Sequence, residues 1–474
     1  MRSKPDIVWI YCDELRADAL GCYGQTGMRL HTPNIDRLAA CGVRFTNNYC
    51  NSPVCVPSRM CTLSGLHPED TGVYNNEGSW RNFRLPSRPL TFPEVFAGYG
   101  YQTANFGKIH LPPEMCHGNV PGAPVFEHHN GQGGGMNFWS HLGEEDVGMI
   151  RSPLGGMNGG VYPPGEPYPP DLVVTNALDW MRSAAGPFLV RVSLLQPHTP
   201  VLPPSSFMRL YENQDPGLPG ALPDTASDFE KRVADIHGLG QMPREKLRAA
   251  RLSYYAQVAW VDTQVGLVLS ELERTGHLED TVIMFGSDHG NPLGDSGAFG
   301  KHTFTPTVHR VPLIMSWPGK LPEGEVRGDI CESLDIGRTM LGLAGISVPD
   351  CFGGRDLFSD PEPGAIYSTI GFGQPVSKLA PNGDIGRWTK NRGWPRRSCI
   401  RTANFRLDMN ILLDNERPSP GDEDVFLVDM RRDPGEFTNM AADPDYADMV
   451  VELTEKLAKH AEGSVDIPLE CLVR

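Results

Sequence analysis

The sequence predicts an α/β protein with a large, doubly wound, mostly parallel sheet flanked by helices, followed by a smaller subdomain of antiparallel strands and a helix. Short apolar runs alternate with helix-like segments, several of these runs end in polar residues, and the hydrophobic period changes after about residue 370. Because 474 residues exceed what one hydrophobic core usually serves, we expect a larger domain over residues 1–370 and a smaller one over 371–474.

Four apolar runs are typical of buried strands, because they are rich in β-branched and aromatic residues. They are "DIVWIY" (6–11), "PFLVRVSLLQPHTP" (187–200), "TVIMFGSDHG" (281–290) and "RVPLIMSWPG" (310–319). The helix-like segments are "PNIDRLAACG", "TFPEVFAGYG" and "RAARLSYYAQVAWVDTQVGLVLSELERTG". In a parallel sheet of this kind, the ligand site gathers at the carboxyl ends of the strands.

The C-terminal segment has a different pattern. "CIRTANFRLDMN" and "DVFLVDM" are typical of antiparallel strands, and "DMVVELTEKLAKHAEG" is typical of an amphipathic helix. These segments predict the smaller subdomain.

Composition excludes several classes of protein. With 39% hydrophobic and 21% charged residues, the chain resembles ordinary soluble globular proteins. No apolar run approaches the roughly 18 to 20 residues that span a bilayer, and acidic residues follow the first strand where a signal peptide needs an apolar core. We therefore expect a cytoplasmic protein without a membrane partner. A net charge of -16 argues against a nucleic-acid surface, and eleven cysteines fit mostly reduced thiols. A homo-oligomer is compatible with the sequence.

Two carboxylate-containing pairs directly follow predicted strands. Asp13 and Glu14 follow the first strand, and Asp288 and His289 follow the third. Carboxylate oxygens bind hard divalent cations, and an added histidine moves the preference toward Mn or Zn. One such pair is more often a solvated loop, whereas two pairs at the ends of two buried parallel strands leave a metal site and a solvated loop equally open. Because ligand sites gather at the carboxyl ends of parallel strands, His198 is also a candidate for this pocket.

The stretch "YCNSPVCVPSRMCTLSG" (49–65) raises the question of what Cys55 does. Taken alone, a cysteine is most often a buried thiol. A phosphatase-type loop requires an arginine six positions further on, where this chain has Cys61. Pro57 suits a helix start, whose N–H groups favour an anion, and Arg59 adds a guanidinium fork. These residues predict a small anion site without identifying the reaction.

The order of these pieces resembles the type I sulfatases of the alkaline phosphatase superfamily, which include arylsulfatases, choline sulfatase and the similar phosphonate monoester hydrolases. "CVPSR" fits the CxPxR signature of the family, and "GKIHL" fits its GKxH motif. "DIVWIYCDELRADALGCYG" and "SDHG" resemble its metal loops, and "GKHTFTPTVHRVPLIM" its lysine segment. "FLVDMRRDPGEFTNMA" resembles a C-terminal stretch of the family, so the match covers nearly the whole chain.

The resemblance implies that a maturation enzyme oxidises Cys55 to formylglycine. One oxygen of the hydrated aldehyde would be the nucleophile, and deprotonation of the second hydroxyl would expel the sulfate. It also implies one divalent ion, Ca²⁺ first and Mn²⁺ as the alternative, held by Asp13, Asp288, His289 and residue 55. Glu14 stands where many members have a second Asp, and it is a ligand or merely a neighbour. His289 stands where many arylsulfatases have Asn, and choline sulfatase and phosphonate hydrolases share this departure.

The resemblance also implies roles for residues that are weak signals on their own. Arg59 and Lys108 match cations that hold the aldehyde and the ester, and His110 matches the base for the second hydroxyl. His198 and Lys301 match groups at the ester and leaving-group oxygens. Asn76 lies where choline sulfatase and phosphonate hydrolases contact their substrate.

The larger domain, residues 1–370, is thus expected to be the catalytic domain of a metal-dependent sulfatase that acts on a small, aryl, anionic sulfate ester. The nearest rival is a phosphonate monoester hydrolase or phosphodiesterase that uses the same site. A different class is a metal-binding pseudo-enzyme in which Cys55 stays a thiol. Arg59, Lys108, His110 and Lys301 argue against that class, because a binding module has little need for the whole set.

Overall fold

The computed structural model describes residues 4–24, 27–79, 85, 87–116, 124–219, 222–371, 396–413 and 416–462. Within these residues the strands are β1 (Asp6–Asp13), β2 (Val43–Tyr49), β3 (Gln102–Gly107), β4 (His128–Asn130), β5 (Ile150–Arg151), β6 (Met157–Gly159), β7 (Phe188–Pro197), β8 (Thr281–Ser287), β9 (Leu313–Ser316), β10 (Glu325–Glu332), β11 (Ile366–Gly371), β12 (Arg396–Arg401), β13 (Phe405–Leu412) and β14 (Phe426–Asp429).

The α-helices within the described residues connect and cover these strands. They are α1 (Pro33–Ala40), α2 (Cys55–Ser64), α3 (Pro68–Thr71), α4 (Phe92–Gly98), α5 (Asp171–Ser183), α6 (Ser205–Met208), α7 (Asp228–His237), α8 (Arg244–Thr275), α9 (Pro306–His309), α10 (Asp335–Leu343) and α11 (Ala447–Glu462). None of them is long and apolar enough to cross a membrane.

The large sheet has the strand order β10-β2-β9-β8-β1-β7-β3-β4. Strand β1 lies at its centre and pairs in parallel with β7 and β8. The described strands of this sheet run in one direction except β9, which is antiparallel to both of its neighbours. The predicted fold class, a mostly parallel sheet with flanking helices, is confirmed.

Each face of the large sheet carries its own hydrophobic core. All eight residues of β1 are buried, and successive side chains point to opposite faces of a strand. Val8 and Ile10 pack in one core with α1, α5 and α8, whereas Ile7 and Trp9 pack in the other with α2, α4 and α10. Burial on both faces explains why this strand is a continuous apolar run rather than an alternating one.

The carboxyl ends of four parallel strands bring polar residues to one edge of this sheet. Strand β1 ends at Asp13, β3 ends directly before Lys108, β7 ends directly before His198, and β8 ends directly before Asp288. The two-sided burial of the strands fixes their register, and the register fixes which side chains emerge at this edge.

The smaller sheet is antiparallel, with the order β11-β12-β13-β14, and α11 packs on it through Leu453 and Leu457. It begins at Ile366, close to the predicted boundary at 370/371, and that boundary stays a prediction. Parts of the predicted 371–474 subdomain, residues 372–395, 414, 415 and 463–474, lie outside the described residues.

Candidate active site

Helix α2 places Cys55 at its first position, at the edge of the sheet where the strands end. All ten residues of α2 are buried, and Gly65 ends the helix in the left-handed conformation with a φ of 68°. Ser58 Oγ donates to the main-chain carbonyl of Asp288 at 2.6 Å, which ties the first turn to the loop after β8. The helix start therefore has a fixed position relative to the strand ends.

Arg59 is fully buried and binds both aspartates of the site. Its Nη2 donates to Asp13 Oδ2 at 2.9 Å, and its Nε donates to Asp288 Oδ2 at 2.9 Å. Its Nη1 donates to Ser193 Oγ at 3.1 Å. Removing one partner from such a buried ion pair is strongly destabilising, so Arg59 holds the two strand ends together as well as adding positive charge.

Four buried side chains converge on one point where an ion could bind. Asp13, Cys55, Asp288 and His289 each offer one ligand atom, and these atoms lie within 4.8 Å of one another. Asp13, Glu14 and His198 form a second such group that shares Asp13. Glu14 Oε2 is buried without a hydrogen-bond partner among the described residues, so Glu14 stands beside the first group as a further candidate ligand.

The residues of this cluster fit a divalent ion. His289 Nδ1 donates to the carbonyl of Gly290 at 2.9 Å, which directs Nε2 toward the cluster in the tautomer that ligates a metal. Burial, and then the charge of Asp13, raise the pKa of Asp288 to about 6. An ion between the two carboxylates would relieve this repulsion.

Cys55 lies among cations. Its Sγ is 2.9 Å from Lys301 Nζ, 3.2 Å from His289 Nε2 and 4.0 Å from Lys108 Nζ. Burial alone would raise the pKa of this thiol, but Lys108, Lys301 and His289 outweigh burial and hold the pKa well below its usual value. The surrounding cations therefore stabilise a negative charge at the position of Sγ.

A glycine aligns Lys108 with the site. Gly107 has a φ of 88°, and a Cβ at this position would lie 2.2 Å from the carbonyl oxygen of Ser193. The Lys108 N–H donates to that same oxygen at 2.9 Å, and the Lys108 Nζ lies 2.6 Å from Asp13 Oδ2. Only glycine lets β3 approach β7 closely enough to aim Lys108 in this way.

His110 and Glu14 adopt left-handed backbone conformations, with φ values of 47° and 67°. Each such non-glycine residue costs on the order of 1 kcal/mol or more, and these conformations gather at functional sites. Burial, and then Lys108, lower the pKa of His110 to about 4, so its imidazole is neutral near pH 7. Its Nδ1 has no hydrogen-bond partner among the described residues, which leaves it available to accept a proton.

His198 and Lys301 lie together beside the cluster. The distance from Lys301 Nζ to His198 Nε2 is 3.3 Å, and His198 Nδ1 donates to the carbonyl of Thr199 at 2.6 Å. Burial would lower the pKa of Lys301, but Cys55, Glu14 and Asp13 outweigh it and raise the pKa. Lys301 is therefore a permanent cation next to residue 55.

Asn76 supports the helix start. Its Oδ1 accepts a hydrogen bond from the Val56 N–H at 3.1 Å, so it caps α2 from outside that helix. The predicted substrate contact of Asn76 stays a prediction.

The structure thus brings all the predicted site residues to the carboxyl edge of the sheet. Sequence reasoning missed three supporting groups: the Ser193 hydroxyl, the Gly290 carbonyl and the Ser58 hydroxyl. Ser193 lies inside β7, and the only signal for it is its place near the end of a strand that leads to the site. The other two depend on contacts between separate loops, which the sequence does not display.

Known proteins share this chain's sequence pattern and fold. Residues 5–346 match the sulfatase family. An arylsulfatase of Clostridium perfringens is 28% identical, over 97% of this chain and 95% of its own length. The human iduronate 2-sulfatase is 31% identical over 73% of this chain and 70% of its own length. The phosphonate monoester hydrolase of Agrobacterium radiobacter shares the fold, with a TM-score of 0.75, 23% identity and coverage of 98% and 97%.

Proposed function

The chain belongs to the sulfatase family, and on this premise we propose that it hydrolyses sulfate esters, aryl sulfates best, with a nucleophile derived from Cys55. The observation that carries this proposal is the position of Cys55. Its Sγ lies between Lys301 Nζ and His289 Nε2, beside the carboxylates of the candidate metal cluster. A nucleophile at that point has positive charge on several sides.

Residue 55 is proposed to act as formylglycine, made by a maturation enzyme. The hydrated aldehyde carries two hydroxyls at the position of Sγ. One of them would lose its proton and attack sulfur, and the bond from sulfur to the leaving-group oxygen would break, so that the alcohol or phenol departs. Loss of a proton from the remaining hydroxyl would then release the sulfate by breaking the bond between residue 55 and its attacking oxygen, and water would rehydrate the aldehyde. An unmodified Cys55 would form a cysteine S-sulfate, which has no second hydroxyl and so no such route.

The metal ion is proposed to bind to Asp13, Asp288, His289 and residue 55, with Glu14 as a further ligand. When bound, the ion would lower the pKa of the attacking hydroxyl and offset the charge of the ester. The two carboxylates favour Ca²⁺, and Mn²⁺ is the alternative because of the imidazole.

The positions of the other site residues support the roles proposed for them. Lys108 Nζ, held 2.6 Å from Asp13, faces the anionic group of the ester. His110, with an unpartnered Nδ1, takes the proton from the remaining hydroxyl of residue 55. Lys301 and His198 lie together on the side where a leaving-group oxygen develops negative charge, and either can stabilise that oxygen.

Charge supports a preference for singly charged esters. The divalent ion and the three cations Arg59, Lys108 and Lys301 oppose Asp13, Asp288 and Glu14, and Arg59 is already engaged with both aspartates. A sulfate monoester or a phosphonate monoester brings one negative charge, whereas a phosphate monoester brings two at neutral pH. The limited excess of cations therefore favours the singly charged esters.

The test compares catalytic efficiency on one leaving group, 4-nitrophenol, carried as the sulfate, the phenylphosphonate, the phosphodiester and the phosphate monoester. We expect the sulfate to be the best substrate, the phosphonate and the diester to be measurable, and the phosphate monoester to be the poorest. A tenfold preference corresponds to about 1.4 kcal/mol of transition-state stabilisation.

A clear lead for the phosphonate or the diester would replace the proposal with the phosphonate hydrolase alternative. The same panel applied to the Cys55→Ala variant shows whether each activity depends on residue 55. Cys61→Ala is the matched control, because Cys61 is a buried cysteine on the same helix, outside the candidate cluster.

A further inference from the structure

A second group of metal-ligating side chains lies where the C-terminal helix meets the large domain. His67 directly precedes α3, Glu69 lies on α3, and His460 lies in the last turn of α11. One ligand atom from each of the three lies within 4.8 Å of the others. The three residues come from distant parts of the chain, and none of them belongs to the candidate active site.

Two facing atoms of this group have no hydrogen-bond partner. Glu69 Oε2 and His460 Nε2 are buried and without one among the described residues, and the Glu69 side chain is only 4% exposed. His67 adds one ring nitrogen within 4.8 Å of the other two ligand atoms. Buried polar atoms usually have partners, so the facing atoms of Glu69 and His460 indicate a missing common partner.

The separation of these atoms suits an ion better than a hydrogen bond. Glu69 Oε2 and His460 Nε2 are 3.8 Å apart, which is too long for a hydrogen bond. Two ligand atoms that each lie about 2.1 Å from a tetrahedral Zn²⁺ are about 3.4 Å apart. The Glu69 and His460 atoms would need to approach each other by only about 0.4 Å to reach this spacing.

Neighbouring residues from the smaller sheet orient the ligands. The Thr369 hydroxyl donates to Glu69 Oε1, which leaves Oε2 for an ion. The Tyr367 ring stacks on the His460 ring at 4.0 Å and 6°. Such outer contacts fix the orientation of ligands in known metal sites.

We propose that His67, Glu69 and His460 bind one Zn²⁺ ion that fastens α11 to α3. Two imidazoles and one carboxylate form a known zinc ligand set, and an adjoining cleft of about 750 Å³ has room for a water or a small ligand in the fourth position. The cleft also contains Lys456 and Lys459, of which Lys456 is paired with Glu452. The rival explanation is a metal-free ion pair between Glu69 and a protonated His460.

The test measures Zn²⁺ binding by calorimetry and elemental analysis on the full chain. The near-isosteric Asp288→Asn background removes one carboxylate of the candidate active site, and circular dichroism checks that it folds. Any zinc still bound there is common to the background and its variants, so the difference between them reports the second site. Into this background we would introduce His460→Ala, the near-isosteric Glu69→Gln, and Lys459→Ala as the matched control from the same helix and cleft. Thermal unfolding with and without Zn²⁺ adds a readout that does not depend on activity.

The background protein is expected to bind one equivalent of Zn²⁺, with an increase in its unfolding temperature. We expect His460→Ala to abolish this binding, Glu69→Gln to weaken it at least about tenfold, and Lys459→Ala to retain it. Equal zinc uptake by the background and its His460→Ala variant would overturn the proposal, as would no uptake by the background. Neither result bears on the proposed hydrolysis, which is measured separately.

Discussion

Protonation of His309 should weaken the junction between the large domain and the smaller sheet. His309 ends α9 and is fully buried. Its Nδ1 accepts a hydrogen bond from Arg401 Nε of β12 at 2.9 Å, and its Nε2 donates to Ser368 Oγ of β11 at 2.6 Å. Arg401 in turn binds Glu436 through two hydrogen bonds of 2.7 Å. A proton on Nδ1 would break the bond to Arg401 and place two cations together.

The size of this effect follows from the pKa of His309. Burial, and then Arg401 and Arg406, hold this pKa well below its usual value. In the unfolded chain a histidine titrates near pH 6.5, so below that pH the unfolded state binds one more proton than the folded state. The free energy of unfolding therefore falls by up to about 1.4 kcal/mol per pH unit from this residue, and by about 2.3 kcal/mol between pH 6.5 and 4.5.

The assay is urea unfolding of the wild type and the His309→Gln variant between pH 4.5 and 7.5. The amide of Gln can accept from Arg401 but cannot take up a proton. At pH 7.5 we expect the variant to be less stable by about 1–3 kcal/mol, because one of the buried hydrogen bonds is lost. Below pH 6.5 the gap should shrink by about 1.4 kcal/mol per unit. His128→Gln, at an exposed histidine, controls for the loss of one imidazole. Parallel stability curves for the wild type and His309→Gln would refute the reasoning.

Three further predictions concern the candidate active site. Cys55→Ala should abolish turnover, and circular dichroism should show that the fold is intact. Peptide mass spectrometry of the active wild type should show formylglycine at residue 55. An unmodified thiol in fully active protein would contradict this mechanism. Asp288→Ala should lose both the bound divalent ion and activity, because one of the two facing carboxylates and a partner of Arg59 disappear. If elemental analysis found no metal in fully active wild type, the ligand assignment would be wrong. Asn76→Ala should lower the free energy of unfolding by about 1 kcal/mol, as measured with urea, because the hydrogen bond to the Val56 N–H is lost. A raised KM in the same variant would show a substrate contact as well. An unchanged free energy of unfolding would exclude the capping role.

Much of the candidate site could be predicted from the sequence because its residues follow strands. Asp13, Lys108, His198 and Asp288 each come directly at or after the end of a parallel strand, and all such ends meet at one edge of the sheet. Cys55 could be placed there only through its motif. It lies at a helix start and not at a strand end, so the rule for parallel strands does not predict its position. The local sequence thus predicted positions along one edge, and the family resemblance supplied their roles.

The direction of β9 could not be predicted from its pattern. "RVPLIMSWPG" is an apolar run like the other strands, and an apolar run has the same pattern in either direction. In the structure, β9 lies antiparallel between β2 and β8. Its reversal does not disturb the site, because the predicted site residues follow other strands.

The proposed zinc site could not be predicted from the local sequence. His67 stands in "GLHPEDTG" and His460 in "LAKHAEG", and neither segment has the short spacing that identifies a metal motif. The two imidazoles meet only because α11 packs on the smaller sheet, whose strand β11 also supplies Thr369 and Tyr367 to orient the ligands. A site of this kind depends on how the C-terminal helix docks, so zinc binding and docking of that helix should be lost together. Hydrogen exchange in α11 should therefore slow when Zn²⁺ is added to the wild type, and unchanged exchange would separate the ion from the helix.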